Sequence, residues 1–353
     1  MHSLKIRRFK QFGEYEATFT EPSLDIPRDL VVLIGDNGKG KSTILQAIAL
    51  VLGMATRQLA SPDRLEWPGF DYALAGGAWP LPTEIELTVV FTREETEAVI
   101  ECFKLSSTAK NAALVPDNQQ IVTITLAGNC LKTRKPQQKL QFRGREYAGK
   151  VLKQLPDNFD IFKKIGSVFW YHEHRQATSL MRDSRAGSLS PLSADDQLRI
   201  HLDQWHNFHR RVVGNEFDLR PGQKDLFKEI HDAWQRVFPD RSFVGSHPRD
   251  FGDSIAPRFY LSDGQRYYEL AEMSAGERAI LPILIDFARL NIHNSVVLID
   301  EVELHLHPPL QHAMVRALSH LGKNNQFIIT THSQSVLDVV FDSDIHRVNF
   351  YDS

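Results

Sequence analysis

Cysteine is nearly missing from this sequence: Cys102 and Cys130 are the only two in 353 residues. A disulfide framework is therefore excluded, and a reducing compartment is predicted. No apolar run reaches the roughly 18 residues that a membrane-spanning helix needs, so no membrane partner is expected. The first ten residues carry Lys5, Arg7, Arg8 and Lys10 and no apolar core. That start predicts no secretory signal and a cytoplasmic protein. A dominant charge is lacking too: 41 Lys and Arg stand against 44 Asp and Glu, a formal net charge of −3. Attraction to nucleic acid must then come from a local cluster. There is no internal repeat and no low-complexity tract. What is present is a composition 42% hydrophobic and 24% charged, enough for a substantial core and unlike that of a disordered chain.

Hydrophobic patterning predicts an α/β protein. Leu4–Phe9 alternates as a strand, with Phe12–Phe19 as its hairpin partner. Leu30–Ile34 is uniformly apolar, as a buried central strand would be, and a helix follows from Lys41 to Leu52. Glu84–Phe91 alternates, and Thr92–Glu95 has the form of a capping box opening a helix to Phe103. Ile121–Leu126 and Lys139–Phe142 are expected as further, antiparallel strands. Segments 55–82 and 105–118 are weakly patterned and expected as loops, and Asp183–Pro191, rich in Ser, Gly and Arg, as a mobile one. Helices are predicted over 193–213 and 222–238, parted by Pro221-Gly222. A hairpin turning at Ser262–Gln265 comes next. The tail then alternates: helix 276–290, strand Val296–Ile299, helix 308–321, strand Gln326–Ile329. Such alternation predicts a parallel sheet with helices on its faces.

Gly35-Asp-Asn-Gly-Lys-Gly-Lys41-Ser42 matches the phosphate-loop pattern G-x-x-x-x-G-K-[ST]. Its glycines, Gly35, Gly38 and Gly40, let backbone N–H groups converge on phosphate oxygens, and the helix behind adds its positive end. Asn37 and Thr43 complete the expected ATP-binding set. Lys41 would bridge the β- and γ-phosphates, and the Ser42 hydroxyl would ligate Mg²⁺. Val296–Ile299 ends in Asp300 and Glu301, at the strand end where open α/β sheets bind ligands. Asp300 is expected to hold Mg²⁺ and Glu301 to polarise the attacking water. The second strand ends in Thr330-Thr-His332-Ser333, where His332 can hydrogen-bond the γ-phosphate or that water.

These motifs, in this order and with Ser274-Ala275-Gly276-Glu277 and Glu303–Pro308 among them, resemble the ATP-binding cassette ATPases. The similarity is to the non-transporter branch that includes SMC, RecF and OLD ATPases. It covers about residues 1–55 and 165–345; Leu4–Gly13 is similar to that branch's first strand and its Phe-x-x-Phe turn. The resemblance implies an ABC ATPase head: a mixed or parallel core sheet, an antiparallel β subdomain and a helical signature lobe. Expected boundaries are 1–180 for the first lobe, 181–275 for the helical lobe and 276–353 for the return to the core sheet. The resemblance further implies that Ser274, Ala275 and Gly276 contact the γ-phosphate held by a second copy, giving a head-to-tail homodimer around two ATPs. Gln176 is the candidate for sensing Mg²⁺, with an ordinary polar loop residue as the alternative.

Between Lys132 and Lys153 lie eight basic residues and one acid, Glu146. Together with Arg7, Arg8 and Lys10, this stripe suits either a DNA backbone or a solvated charged face. The pairs His172/His174 and His305/His307 have zinc-compatible spacing but no evident further ligand. Two moderate helices stand where SMC proteins insert long coiled coils, so long-range tethering is not expected. Only 21 residues follow His332, where OLD enzymes carry a Toprim nuclease, so a separate effector or nuclease is the expected partner. The function expected is an ATPase whose dimerisation controls DNA transactions or an effector in repair or anti-phage defence. The alternatives are the nucleotide-binding subunit of a transporter and a slow scaffold restraining a toxic partner.

Overall fold

The computed structural model describes residues 1–21, 24–76, 81–106, 114–154, 159–172, 193–220, 222–246 and 257–348. Two compact units result, each discontinuous in sequence. The first comprises 1–173, 292–302 and 323–353; the second comprises 174–291 and 303–322.

The first unit holds two five-stranded sheets. Strands β1 (Ser3–Phe9), β2 (Phe12–Thr18), β4 (Glu84–Val90), β5 (Ile121–Ala127) and β6 (Cys130–Thr133) form an antiparallel sheet in the order β2-β1-β4-β5-β6. Alternation puts Leu4, Ile6, Ile85, Leu87, Val122 and Ile124 on its buried face. On the other face Lys5 and Arg7 stand opposite Glu16 and Glu14 of β2 and Glu86 and Glu84 of β4. The parallel sheet has the order β13-β3-β12-β11-β7, with β3 at Leu30–Ile34, β7 at Val168–Tyr171, β11 at Val296–Ile299, β12 at Gln326–Thr330 and β13 at Ile345–Arg347. Its two acid- and histidine-bearing strands, β11 and β12, are neighbours in register from Val296/Gln326 to Ile299/Ile329.

Helix α1 (Lys41–Ala55) packs on strands of both sheets and is buried on nearly every side. A helix that is hydrophobic all round has no solvent face, and Ile44 to Leu52 is such a run but for the buried Gln46. The short α2 (Tyr72–Ala75) interrupts the loop region 55–82. Helix α3 (Arg93–Ser106) starts as its capping box predicts: Glu95 N–H donates to Thr92 Oγ1 at 3.1 Å. The expected strand Lys139–Phe142 is instead helical. Pro136 opens α4 (Pro136–Gln141) and α5 (Gly144–Gln154) follows directly. Proline has no N–H for a sheet ladder but suits a helix's first turn. Phe142 then packs edge-on against Phe91, with ring centroids 5.1 Å apart.

The second unit is mainly helical. Helix α6 (Ala194–Val213) is capped by Ser193, and α7 (Leu226–Val237) by Asp225. A three-stranded antiparallel sheet, β8 (Ser242–Ser246), β9 (Phe259–Ser262) and β10 (Tyr267–Glu269), precedes α8 (Ala275–Leu290). Helix α7 packs against α6, α8 and α9 (Pro308–Leu318). Strand β8 has no counterpart in the sequence reading; its Gly245 adopts φ +106° against the His206 ring. A last short helix, α10 (Gln334–Leu337), belongs to the first unit. Among the described residues no helix is long and apolar enough to cross a membrane.

One buried carboxyl makes the first unit sensitive to pH. Glu95 accepts a hydrogen bond from Gly166 N–H at 2.8 Å, and burial pushes its pKa from 4.5 up to about 7. A carboxyl raised on folding stabilises the native state fully below its ordinary value and loses that contribution as pH rises through 7. Wild-type protein is therefore expected to lose stability between pH 5 and 8, by about 3 kcal/mol more than Glu95→Gln. Denaturant titrations of both proteins across that range check this; parallel profiles would refute it.

Candidate functional site

The phosphate loop leaves β3 at its carboxyl end and enters α1. Gly38 and Gly40 take positive φ, 75° and 95°, a region that side chains disfavour. At Gly40 space is as decisive as angle, because a Cβ would collide with the Phe12 ring and the Gln11 amide. The turn between β1 and β2 thus forms the floor of the loop, and Thr43 Oγ1 donates to Gln11 Oε1 at 3.2 Å. Lys41 is buried and folds back, its Nζ donating to the carbonyls of Gly35 at 2.9 Å and Asp36 at 3.1 Å. Those carbonyls hold the ammonium at the mouth of the loop, where phosphate oxygens can replace them.

Ser42 and Asp300, 258 residues apart, meet directly: Ser42 Oγ donates to Asp300 Oδ1 at 3.0 Å. The same oxygen accepts from Thr330 Oγ1 at 2.6 Å, and Thr330 Oγ1 accepts from Glu301 N–H at 2.7 Å. The start of α1 and the ends of β11 and β12 are tied together this way. Glu301 has φ +46°, in the left-handed region, so the chain turns out of the strand immediately after Asp300. His332 is exposed, two residues past β12 and on the same end of the sheet. A hydroxyl and a carboxylate oxygen beside a phosphate loop are the hard-oxygen donors that Mg²⁺ takes, alongside substrate phosphates and water. Ser42 and Asp300 fit that ion; it would screen phosphate charge and orient the γ-phosphoryl group.

The second unit carries the serine-capped helix. Ser274 Oγ accepts from Glu277 N–H at 3.3 Å and donates to Glu277 Oε2 at 2.7 Å, closing a capping box at the start of α8. Glu277 is 1% exposed and also takes Tyr268 Oη and an ion pair with Arg241. Burial alone would raise its pKa, but Arg241, Tyr268 and Ser274 outweigh it and hold the carboxylate below its ordinary range. Burial and the adjacent carboxylate push the Tyr268 hydroxyl up. A Cβ on Gly276 would come within 3.3 Å of His305 O and of Leu306, so the segment after Glu301 packs close to the helix start.

Not every expected residue joins these groups. Gln176 lies outside the described residues, as do His174 and Asp183–Pro191. Among the described residues no group of three His, Cys, Asp or Glu side chains could hold a metal ion. The basic stripe is not one sheet face: it runs from β6 through α4 and α5. Arg143 and Lys150 both pair with Glu146 at 2.8 Å, and Arg143 first among its partners draws that carboxylate down to about 2. Arg145 donates to Ile165 O and lies over the Phe162 and Phe169 rings. Arg7 and Arg8 pair with Glu14 and Glu84. Gln11, Tyr268 and Arg241 are not marked by the sequence, and Thr330 is legible only as the start of the Thr-Thr-His-Ser motif. Glu277 was legible as the fourth residue of a Ser-x-x-Glu capping box, but its partners come from distant strands that no local spacing marks.

The chain is similar to known proteins along its whole length. The family model described as "AAA domain, putative AbiEii toxin, Type IV TA system" matches residues 141–338, and a second described as "AAA domain" matches 3–205. The "Retron Vc95 probable ATPase" of Vibrio cholerae is 38% identical, across 100% of this chain and 74% of its own length. "Septu protein PtuA" of Bacillus mycoides is 25% identical over 64% of this chain and 33% of its own. Among solved structures, the SMC head domain from Thermotoga maritima superposes with a TM-score of 0.44 at 16% identity, covering 98% of this chain and 93% of that one. With two family models each spanning more than half of the sequence, and a relative aligned along all of it, the chain belongs to the AAA-domain ATPases.

Proposed function

We propose that this chain is an ATP-driven switch that closes as a head-to-tail dimer. Mg²⁺ and the phosphates are held by Gly35, Asn37, Gly38, Gly40, Lys41, Ser42 and Thr43, with Asp300 as the carboxylate ligand. Glu301 polarises the attacking water, and His332 contacts the γ-phosphate side. Ser274 and Gly276 of a second copy cap that phosphate from the opposite direction. The observation that carries this reading is the Ser42–Asp300–Thr330 hydrogen-bond set, which joins the phosphate loop to the carboxylate strand. ATP shifts the monomer–dimer equilibrium only through contacts it makes in the closed state, and the γ-phosphate supplies them. Hydrolysis removes those contacts and opens the dimer.

Turnover would then be coupled to DNA or to a separate effector or nuclease, in anti-phage defence or repair. The retron and Septu proteins among its relatives favour defence. The "DNA repair protein RecN" of Rickettsia bellii, 32% identical over 34% of this chain, keeps DNA within the reading.

Two variants test the machinery. Lys41→Ala is expected to abolish nucleotide binding in a calorimetric titration; unchanged affinity would refute the phosphate-loop assignment. Glu301→Gln should slow hydrolysis by about 10²–10⁴-fold, the range of a lost general base, while ATP binding persists. With saturating ATP and Mg²⁺ it should sediment as a dimer. A Glu301→Gln protein that stays monomeric under those conditions would overturn the dimer.

A further inference from the structure

The side chains of α7 and α9 carry a second, unassigned charge cluster. Between these helices lies an open groove of about 710 Å³, lined by Arg236 from α7, by Ala313, Arg316 and Ala317 from α9, and by Ser319 and His320 beyond it. No acidic residue lines it. Among the described residues neither guanidinium has an ion-pair or hydrogen-bonding partner, and both are exposed. In the stripe at 132–153, by comparison, Arg143 and Lys150 share the single carboxylate of Glu146, Lys135 pairs with Asp117, and aromatic rings lie over Arg145. Two cations held beside one another without a counter-ion repel, and an anion relieves that repulsion.

We propose that the α7–α9 groove binds the phosphate backbone of a nucleic acid. Guanidinium groups make forked hydrogen bonds to phosphate oxygens, and the Ser319 hydroxyl and an imidazole N–H of His320 add further donors. Ala313, Ala317 and Gly322 are small enough for a sugar–phosphate strand to lie close. A protein partner would be expected to find aromatic or methionine anchors in such a patch, and the lining has none. Two features connect the groove to the nucleotide machinery. Helix α7 also packs against α8, which starts at the Ser274 cap, and α9 starts seven residues after Glu301. A strand seated there would bear on both helices. The proposal rests on the DNA branch of the reading above and assigns the contact to residues other than the stripe that the sequence singles out.

The test measures anisotropy of a labelled duplex and a labelled single strand with full-length protein, across a salt series. Arg236→Gln/Arg316→Gln is compared with wild type and with Lys132→Gln/Arg134→Gln, thermal melts confirming that all three fold. The groove variant is expected to bind roughly tenfold more weakly or worse, with the log K against log salt slope reduced by about 1.4–1.8, or ~0.7–0.9 for each lost phosphate contact. The stripe variant should change neither quantity by as much. Unchanged binding by the groove variant, or no saturable binding by wild type, would overturn the proposal. So would polyglutamate that displaces DNA at equal charge concentration, since the groove would then serve an acidic protein segment. Sedimentation of the groove variant carrying Glu301→Gln separates the two claims: dimers that persist with ATP while DNA binding is lost leave the switch standing and the groove confirmed. Dimers that never form leave the groove to be judged by anisotropy alone.

Discussion

Asp300 Oδ1 accepts two hydroxyl hydrogen bonds, one from Ser42 at the start of α1 and one from Thr330 at the end of β12. This convergence requires β3, β11 and β12 to end level, which parallel pairing in register ensures. A carboxylate 8% exposed must have such partners, because burying it unpaired would cost several kcal/mol. The arrangement therefore does structural work before any nucleotide arrives. It also leaves a hydroxyl and a carboxylate oxygen together beside the phosphate loop, donors of the kind that Mg²⁺ takes. Glu301 depends on the same knot, because Thr330 Oγ1 accepts from its N–H.

The second unit repeats the logic around Glu277. Its carboxylate serves the Ser274 N–H and hydroxyl, Tyr268 and Arg241 at once, so the helix start is fixed by the sheet behind it. A negative side chain at a helix N-terminus opposes an incoming phosphate, and Arg241 offsets that charge. The serine-capped helix can then present its N-terminus to an anion without repelling it. Gly276 adds a steric link to His305, in the segment that follows β11.

Much of this was legible because it is local. The phosphate loop, the acids after an apolar strand, the Thr92 and Ser274 capping boxes and the β1–β2 hairpin are each written within about ten residues, at spacings that backbone geometry imposes. The α/β class followed from the alternation of strand and helix periods. What stayed hidden is long-range or masked by composition. Lys139–Phe142 looked like a strand because its pattern is short, while Pro136, three residues earlier, set a helix. The basic stripe looked uniform because counting charges does not show that Arg143 and Lys150 share Glu146 or that rings lie over Arg145. Arg236 and Arg316 are separated by 80 residues and come together only when α9 packs on α7.

The account stands on the two halves of each nucleotide site coming from different copies. Mixing two inactive proteins tests this most directly. Lys41→Ala keeps the serine-capped helix but loses the phosphate grip; Ser274→Arg keeps the grip but blocks the cap. Each alone should be inactive, yet their mixed dimer contains one complete site, so phosphate release should reappear and peak near equal proportions. A mixture no more active than its two components would contradict the shared site.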